Sequence, residues 1–174
     1  MPAIQEISDT LIRDQIVKAV VEVFKTMLSE AIGLSTNPEN QQLWPPYTVP
    51  HAPQAHVVGT VGFLGDINGL IYIYLPVAFA EHCTGKLLGM TAEELTEAGA
   101  EPVNDAVGEL TNMIVGVFKN GLCDVGYACK LTIPSIMRGD NFSVDVKRPN
   151  SRHIYVFESH GHRVVADILM KTDE

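Results

Sequence analysis

The chain is short of basic residues: 12 Lys and Arg stand against 21 Asp and Glu, a formal net charge of −9. Affinity for phosphate backbones comes largely from Lys and Arg displacing counterions, so a surface of this sign argues against nucleic acid as a partner. No basic patch interleaved with aromatics turns up to offset it. Long apolar runs are also lacking. The densest, residues 70–75, falls far short of the roughly 20 residues that a membrane-spanning helix needs. The start of the chain has neither a basic segment nor an apolar signal core, so a cytoplasmic protein with no membrane association is expected. Cysteine is scarce: Cys83, Cys123 and Cys129 are odd in number and form no C-x-x-C pair. They read as small buried apolar residues in a reducing compartment rather than as a disulfide framework. What is abundant is apolar surface. At 46% apolar and 19% charged, 174 residues can bury a core and form one domain over residues 1–174.

Helical periodicity runs through residues 10–33, where Leu11, Ile12, Ile16, Val20, Val23, Phe24, Met27 and Leu28 recur at steps of three and four, with Gly33 as the expected C-terminal stop. Segment 35–55 is different. It holds five of the ten prolines and the only tryptophan, Trp44, which predicts a long inserted loop clamped by its aromatic cluster or serving as a binding lid. Residues 56–63 and 68–75, rich in Val, Ile and Tyr around Gly65 and Asp66, predict a hairpin. Pro76 opens a helix to Leu88, and Thr91 starts a short one with acids in its first turn. A long helix follows over 101–122. Strands are expected at 126–133, 153–159 and 163–170, the last two joined at His160-Gly161-His162, with a short strand possible at 142–146.

Two helices share a sequence. VEVFKTML (21–28) aligns without gaps to VGVFKNGL (115–122), and β-rich sequence follows both. This predicts an α/β (α+β) fold in which a helix-plus-strands unit is used twice, giving a mainly antiparallel sheet with two long helices packed on it.

The second long helix carries the candidate chemistry. At about 100° per residue, Asp105, Glu109 and Asn112 fall within an arc of about 60°, and Gly116 continues the line one turn on. Val103, Val107, Leu110, Ile114, Val117 and Phe118 gather on the opposite side. A stripe of acids and amide on an amphipathic helix is ordinarily solvated surface. The internal repeat weighs against that reading, because Gln15 and Lys18 stand where Glu109 and Asn112 stand in the other copy. The apolar face is kept and the polar stripe is not, as expected if only one helix carries a site. Gly116 removes a side chain that would block approach along the stripe.

With Pro134 following Asn112 after 21 intervening residues, this pattern resembles the signature of the CheC/CheX chemotaxis phosphatases, closest to the CheX branch. The signature is an Asp or Ser, three residues, a Glu, two residues, an Asn, and a later Pro. The resemblance implies hydrolysis of the aspartyl phosphate on a CheY-type response regulator. Asn112 would orient the attacking water and Glu109 would dock on the regulator's active-site lysine. Asp105 would be a secondary contact, and Pro134 would stiffen the backbone beside the helix. It also implies no cofactor of the chain's own, the Mg²⁺ residing on the phosphorylated regulator, and a homodimer. An acyl phosphate is already activated, so such a catalyst mainly positions water and stabilises charge. A neutral amide both donates and accepts hydrogen bonds, whereas a carboxylate in its place would be repelled by the phosphate.

Two other readings remain: a non-catalytic adaptor binding a signalling partner through the same helix face, and a metal-dependent hydrolase built on the histidine-rich C-terminal hairpin. His160 and His162 could share a face, but spacing supplies no third ligand. His82 and Cys83, adjacent on a helix, point different ways, and Arg138-Gly139-Asp140 reads as a loop. The segment around Lys86 lacks the glycine spacing of a phosphate-binding loop, and no cysteine has a credible base nearby.

Overall fold

The computed structural model describes residues 7–37, 55–140, 142, 144 and 151–171. The elements are α1 (Asp9–Leu28), β1 (Gly33–Leu34), β2 (His56–Gly65), β3 (Asn68–Pro76), α2 (Val77–Leu88), α3 (Ala92–Ala98), α4 (Glu101–Asp124), β4 (Cys129–Leu131), β5 (Ser135–Gly139), β6 (Ser151–Ser159) and β7 (His162–Lys171). The Trp44 cluster and most of loop 35–55 lie outside the described residues, as does most of the strand expected at 142–146.

All strand pairs are antiparallel, in the order β1-β6-β7-β3-β2-β4, with β5 also on β2. Exchanging the first half (β1, β2, β3) for the second (β4 and β5, β6, β7) reverses this order and otherwise leaves it unchanged. The repeat read from the two helices is therefore present in the sheet. Phe24 and its counterpart Phe118 are both fully buried, as are Leu28 and Leu122.

Strand residues alternate between two faces, as the period of two requires. Val57, Val61 and Phe63 of β2, Ile71 and Ile73 of β3, and Val164, Ala166 and Ile168 of β7 join one core with Ile12, Ile16, Val20, Phe24, Ile114 and Phe118 of the long helices. The intervening residues Val58, Tyr74, Val156 and Val165 form a smaller cluster on the opposite face. That face also holds a buried ion pair. Arg152 Nε and Nη2 donate to the two Asp167 carboxylate oxygens at 3.0 and 2.7 Å, and Nη1 donates to the Val144 carbonyl at 3.0 Å. Burial pushes the Asp167 carboxyl up, and the fork of Arg152 opposes it.

Local rules account for most boundaries. The Thr91 hydroxyl accepts from Glu94 N at 3.2 Å while Glu94 accepts from Thr91 N at 2.8 Å, a reciprocal cap that starts α3. The β6–β7 turn is the pair His160 (φ 49°) and Gly161 (φ 76°), the two left-handed residues that a tight hairpin asks for. Gly33 does not end α1, contrary to the expectation from its sequence. The helix stops at Leu28, Ser29 takes the left-handed position at φ 52°, and Gly33 lies in β1.

What makes the earlier stop tolerable is the next residue. Glu30 is buried and receives His82 Nε2 at 2.7 Å, Lys86 Nζ at 2.6 Å and His160 Nε2, so α2 and the β6–β7 turn are both tied to the end of α1. The Lys86 hydrogen bond, opposed by burial and helped by the two histidines, holds the Glu30 carboxyl down at about 2, against an ordinary 4.5. A carboxyl lowered by folding contributes stability above its unfolded pKa and loses it as pH falls from about 4.5 towards 2. Glu30→Gln is accordingly expected to be less stable than the wild type near neutrality, with the difference closing through that acid window. Thermal unfolding of both proteins across pH checks this; a difference independent of pH contradicts it.

Candidate functional site

Helix α4 starts without a side-chain cap but with a proline in its first turn, and it runs the full span of Glu101–Asp124. Its apolar side is buried as expected at Val103, Val107, Leu110, Ile114 and Phe118, with Val117 only half-buried. The helix lies flush on β2 because Gly59 sits beneath Thr111. A Cβ at residue 59 would come within 2.0 Å of Thr111 Oγ1, which itself donates to the Val107 carbonyl at 2.7 Å. This contact sets the height and rotation of the residue next along the helix, Asn112.

The stripe is open. Asp105 and Glu109 are exposed and Asn112 is half-buried, and no hydrogen bond or ion pair within the described residues engages any of their side chains. A carboxylate and an amide one turn apart are thus held on a helix backbone with their polar atoms free for another molecule. At Gly116 an added Cβ would meet only Leu131 Cδ1, at 3.9 Å, so the fold does not require glycine there. The helix surface beyond Asn112 is correspondingly low.

The edge strand runs antiparallel along this flank of α4. Gly116 lies beside Leu131, Gly108 beside Ile136, and Arg138 Nη2 donates to Asn104 Oδ1 at 3.2 Å. Asn112, midway between the two glycines, is level with residues 132–134. At that height the strand is interrupted. Between the pairs Phe63–Leu131 and Thr60–Ser135, three edge residues stand opposite two of β2, which is a bulge. Thr132 pins one side, its N donating to the Gly62 carbonyl at 2.9 Å and its hydroxyl accepting from Gly62 N at 2.8 Å. Pro134, with no N–H to offer a ladder, closes the other side immediately before β5. The strand expected at 126–133 is thus confined to β4, at Cys129–Leu131, and β5 beyond Pro134 is a further strand that was not expected. Arg138 and Gly139 belong to β5, opposite Val57 and His56, and are not loop.

The remaining candidates disperse. His160 reaches Glu30, while His162 stacks on Phe79 with ring centroids 5.0 Å apart. Among the described residues, no group of three or more His, Cys, Asp or Glu is placed to hold a metal ion. Cys83 is fully buried and His82 half-exposed, so the two neighbours do face apart. Burial, with the charge of Glu30 adding to it, pushes the Cys83 thiol up to about 12, leaving it protonated and unreactive at neutral pH. Burial together with Cys123 raises Cys129 to about 11. No helix among the described residues is long and apolar enough to cross a membrane.

Two features escaped the sequence reading. One is the Arg138–Asn104 link, whose only signal is a charged residue in an otherwise apolar pair of strand positions. The other is Glu30, which no motif marks.

The family model described as chemotaxis phosphatase CheX matches residues 57–158, which include Asp105, Glu109, Asn112, Gly116 and Pro134. No curated protein matches the chain. Among solved structures, chemotaxis protein CheX from Vibrio vulnificus is similar at 22% identity and TM-score 0.72, covering 96% of this chain and 99% of that one. A CheX from Desulfovibrio desulfuricans is similar at 22% identity and TM-score 0.72, covering 92% and 99%. A CheX–CheY–BeF3–Mg²⁺ complex from Borrelia burgdorferi is similar at 20% identity and TM-score 0.64, covering 92% and 97%. At these identities the likeness establishes the fold.

Proposed function

The chain belongs to the chemotaxis phosphatase CheX family, and from that premise we propose that it hydrolyses the aspartyl phosphate of a CheY-type response regulator in the cytoplasm. The observation that carries the reading is the pairing of half-buried Asn112 with exposed Glu109, one turn apart and unengaged by any other side chain or backbone group among the described residues. The complex of a CheX with CheY, beryllofluoride and Mg²⁺ from Borrelia burgdorferi supports the choice of partner.

In this mechanism α4 docks against the regulator's phosphorylated pocket. Glu109 pairs with a lysine of that pocket and fixes the helix in register. Asn112 enters beside the phosphoryl group and aligns a water opposite the aspartyl oxygen. The water oxygen bonds to phosphorus as the bond from phosphorus to the aspartyl oxygen breaks, and the carboxylate leaves with the electron pair. The proton lost by water passes to the departing phosphate or to solvent. The chain supplies no nucleophile, and the divalent ion belongs to the regulator, whose metal and lysine offset the repulsion expected between two acidic proteins. Asp105 makes a secondary contact, Gly116 leaves room for the partner, and Pro134 stiffens the bulge beside the helix. A homodimer is part of the same proposal.

The test is the decay of regulator phosphate with wild type, Asn112→Ala and Glu109→Ala. Loss of acceleration with either variant is expected, through turnover for Asn112 and through affinity for Glu109. Equal acceleration by all three ends the assignment. Tight phosphate-dependent binding by the wild type without turnover would instead favour an adaptor.

A further inference from the structure

One large apolar side chain stands out beside the stripe. Ile133 is 87% exposed, against 57% for the next most exposed large apolar residue among those described, Leu64. It does not sit on a loose loop. Its neighbours are Thr132, held to Gly62 by two hydrogen bonds of 2.8 and 2.9 Å, and Pro134, whose ring fixes its own backbone angle. The bulge therefore presents an isoleucine to solvent on a backbone braced at both sides, level with Asn112 across the flank of α4. One turn beyond Asn112, beside Leu131, Gly116 contributes no side chain.

We propose that Ile133 is the apolar anchor by which this chain docks on its phosphorylated regulator, resting on the phosphatase reading above. Any receiver domain close enough to admit Asn112 to its phosphoryl pocket also covers the braced bulge. An apolar depression beside that pocket would remove Ile133 from water. The polar stripe alone suits this need poorly: exposed charges steer an encounter but add little affinity once screened. A buried aliphatic anchor next to them adds affinity without contributing to the chemistry. Pro134 thereby acquires a role, since it holds the anchor's height relative to the amide.

The probe is a purified CheY-type receiver domain carrying beryllofluoride and Mg²⁺, with binding to the full chain measured by titration calorimetry. Ile133→Ala is expected to raise Kd about tenfold and Ile133→Asp further, with unfolding curves unchanged because the side chain is solvated. Leu88→Asp, the same charge change at the end of α2, is expected to leave Kd where it was. In turnover assays the Ile133 variants are expected to raise KM and keep kcat, whereas Asn112→Ala lowers kcat. A wild-type Kd for Ile133→Asp, or an equal weakening by Leu88→Asp, overturns the anchor while Asn112→Ala still loses turnover. Wild-type turnover by Asn112→Ala overturns the phosphatase reading instead, and no binding by the unmodified chain overturns both.

Discussion

Asn112→Asp is expected to slow regulator dephosphorylation by at least about 100-fold while leaving the fold intact. The substitution changes one atom and no volume, so positioning is preserved and only charge and donor character are altered. An amide donates to a phosphoryl oxygen and accepts from water at once. A carboxylate can do only the second, and it brings a negative charge towards an already negative group. Removal of one preorganised donor from a developing anion costs about 10²–10³ in rate in well-studied enzymes, and repulsion adds to that. Stability is expected to change by no more than about 0.5 kcal/mol. Asn and Asp have similar helix preferences, and the cost is that of one more like charge beside exposed Glu109. Single-turnover decay of the acyl phosphate, paired with urea unfolding, checks both halves. Rates within a factor of three of the wild type would show that the amide does not act at the phosphorus.

The second large effect falls on the scaffold. Gly59→Ala is expected to destabilise the domain by about 3 kcal/mol, at the upper end of what overpacking a core costs. The added methyl would lie 2.0 Å from Thr111 Oγ1 and 2.9 Å from Thr111 Cβ. Thr111 cannot turn away cheaply, because its hydroxyl is bonded to the Val107 carbonyl in a fully buried position. The helix must lift or slide, and since Asn112 is the adjacent residue, the folded fraction is expected to lose turnover as well. Thr111→Ala in the same chain removes the hydroxyl and the methyl from the clash. The double variant is therefore expected to recover part of the stability, a coupling that a double-mutant cycle reads directly. A wild-type melting temperature for Gly59→Ala alone would mean that α4 does not rest on β2 as described.

Which parts of this arrangement could be read from the sequence follows from where the determining contacts lie. The capping box at Thr91 and the His160-Gly161 turn were legible because their hydrogen bonds and dihedral demands are met within four residues. The α4 stripe was legible for a related reason, since helical spacing alone decides that residues 105, 109 and 112 share a face. The end of α1 was not. Ser29 adopts a left-handed conformation that favours glycine, and Glu30 is fixed by His82, Lys86 and His160, all far away in the chain. Strand β5 also escaped, although Pro134 was in view, because the resumption of pairing after the bulge is defined by register against β2. At the site, the residue types and spacing could be read. The solvent access of Asn112, the support that Gly59 gives it and the exposure of Ile133 depend on tertiary neighbours that no local pattern encodes.

The reversible strand order has a consequence for how the domain comes apart. The outermost strand of each half is hydrogen-bonded to the hairpin of the other: β1 to β6, and β4 with β5 to β2. The halves are clasped, each holding the other's rim, and the central seam is the β3–β7 pair that joins them. Neither half can keep a complete sheet after the other has melted, so the two lose structure together. The helix without the polar stripe, α1, thus remains a condition for the helix that carries it, α4.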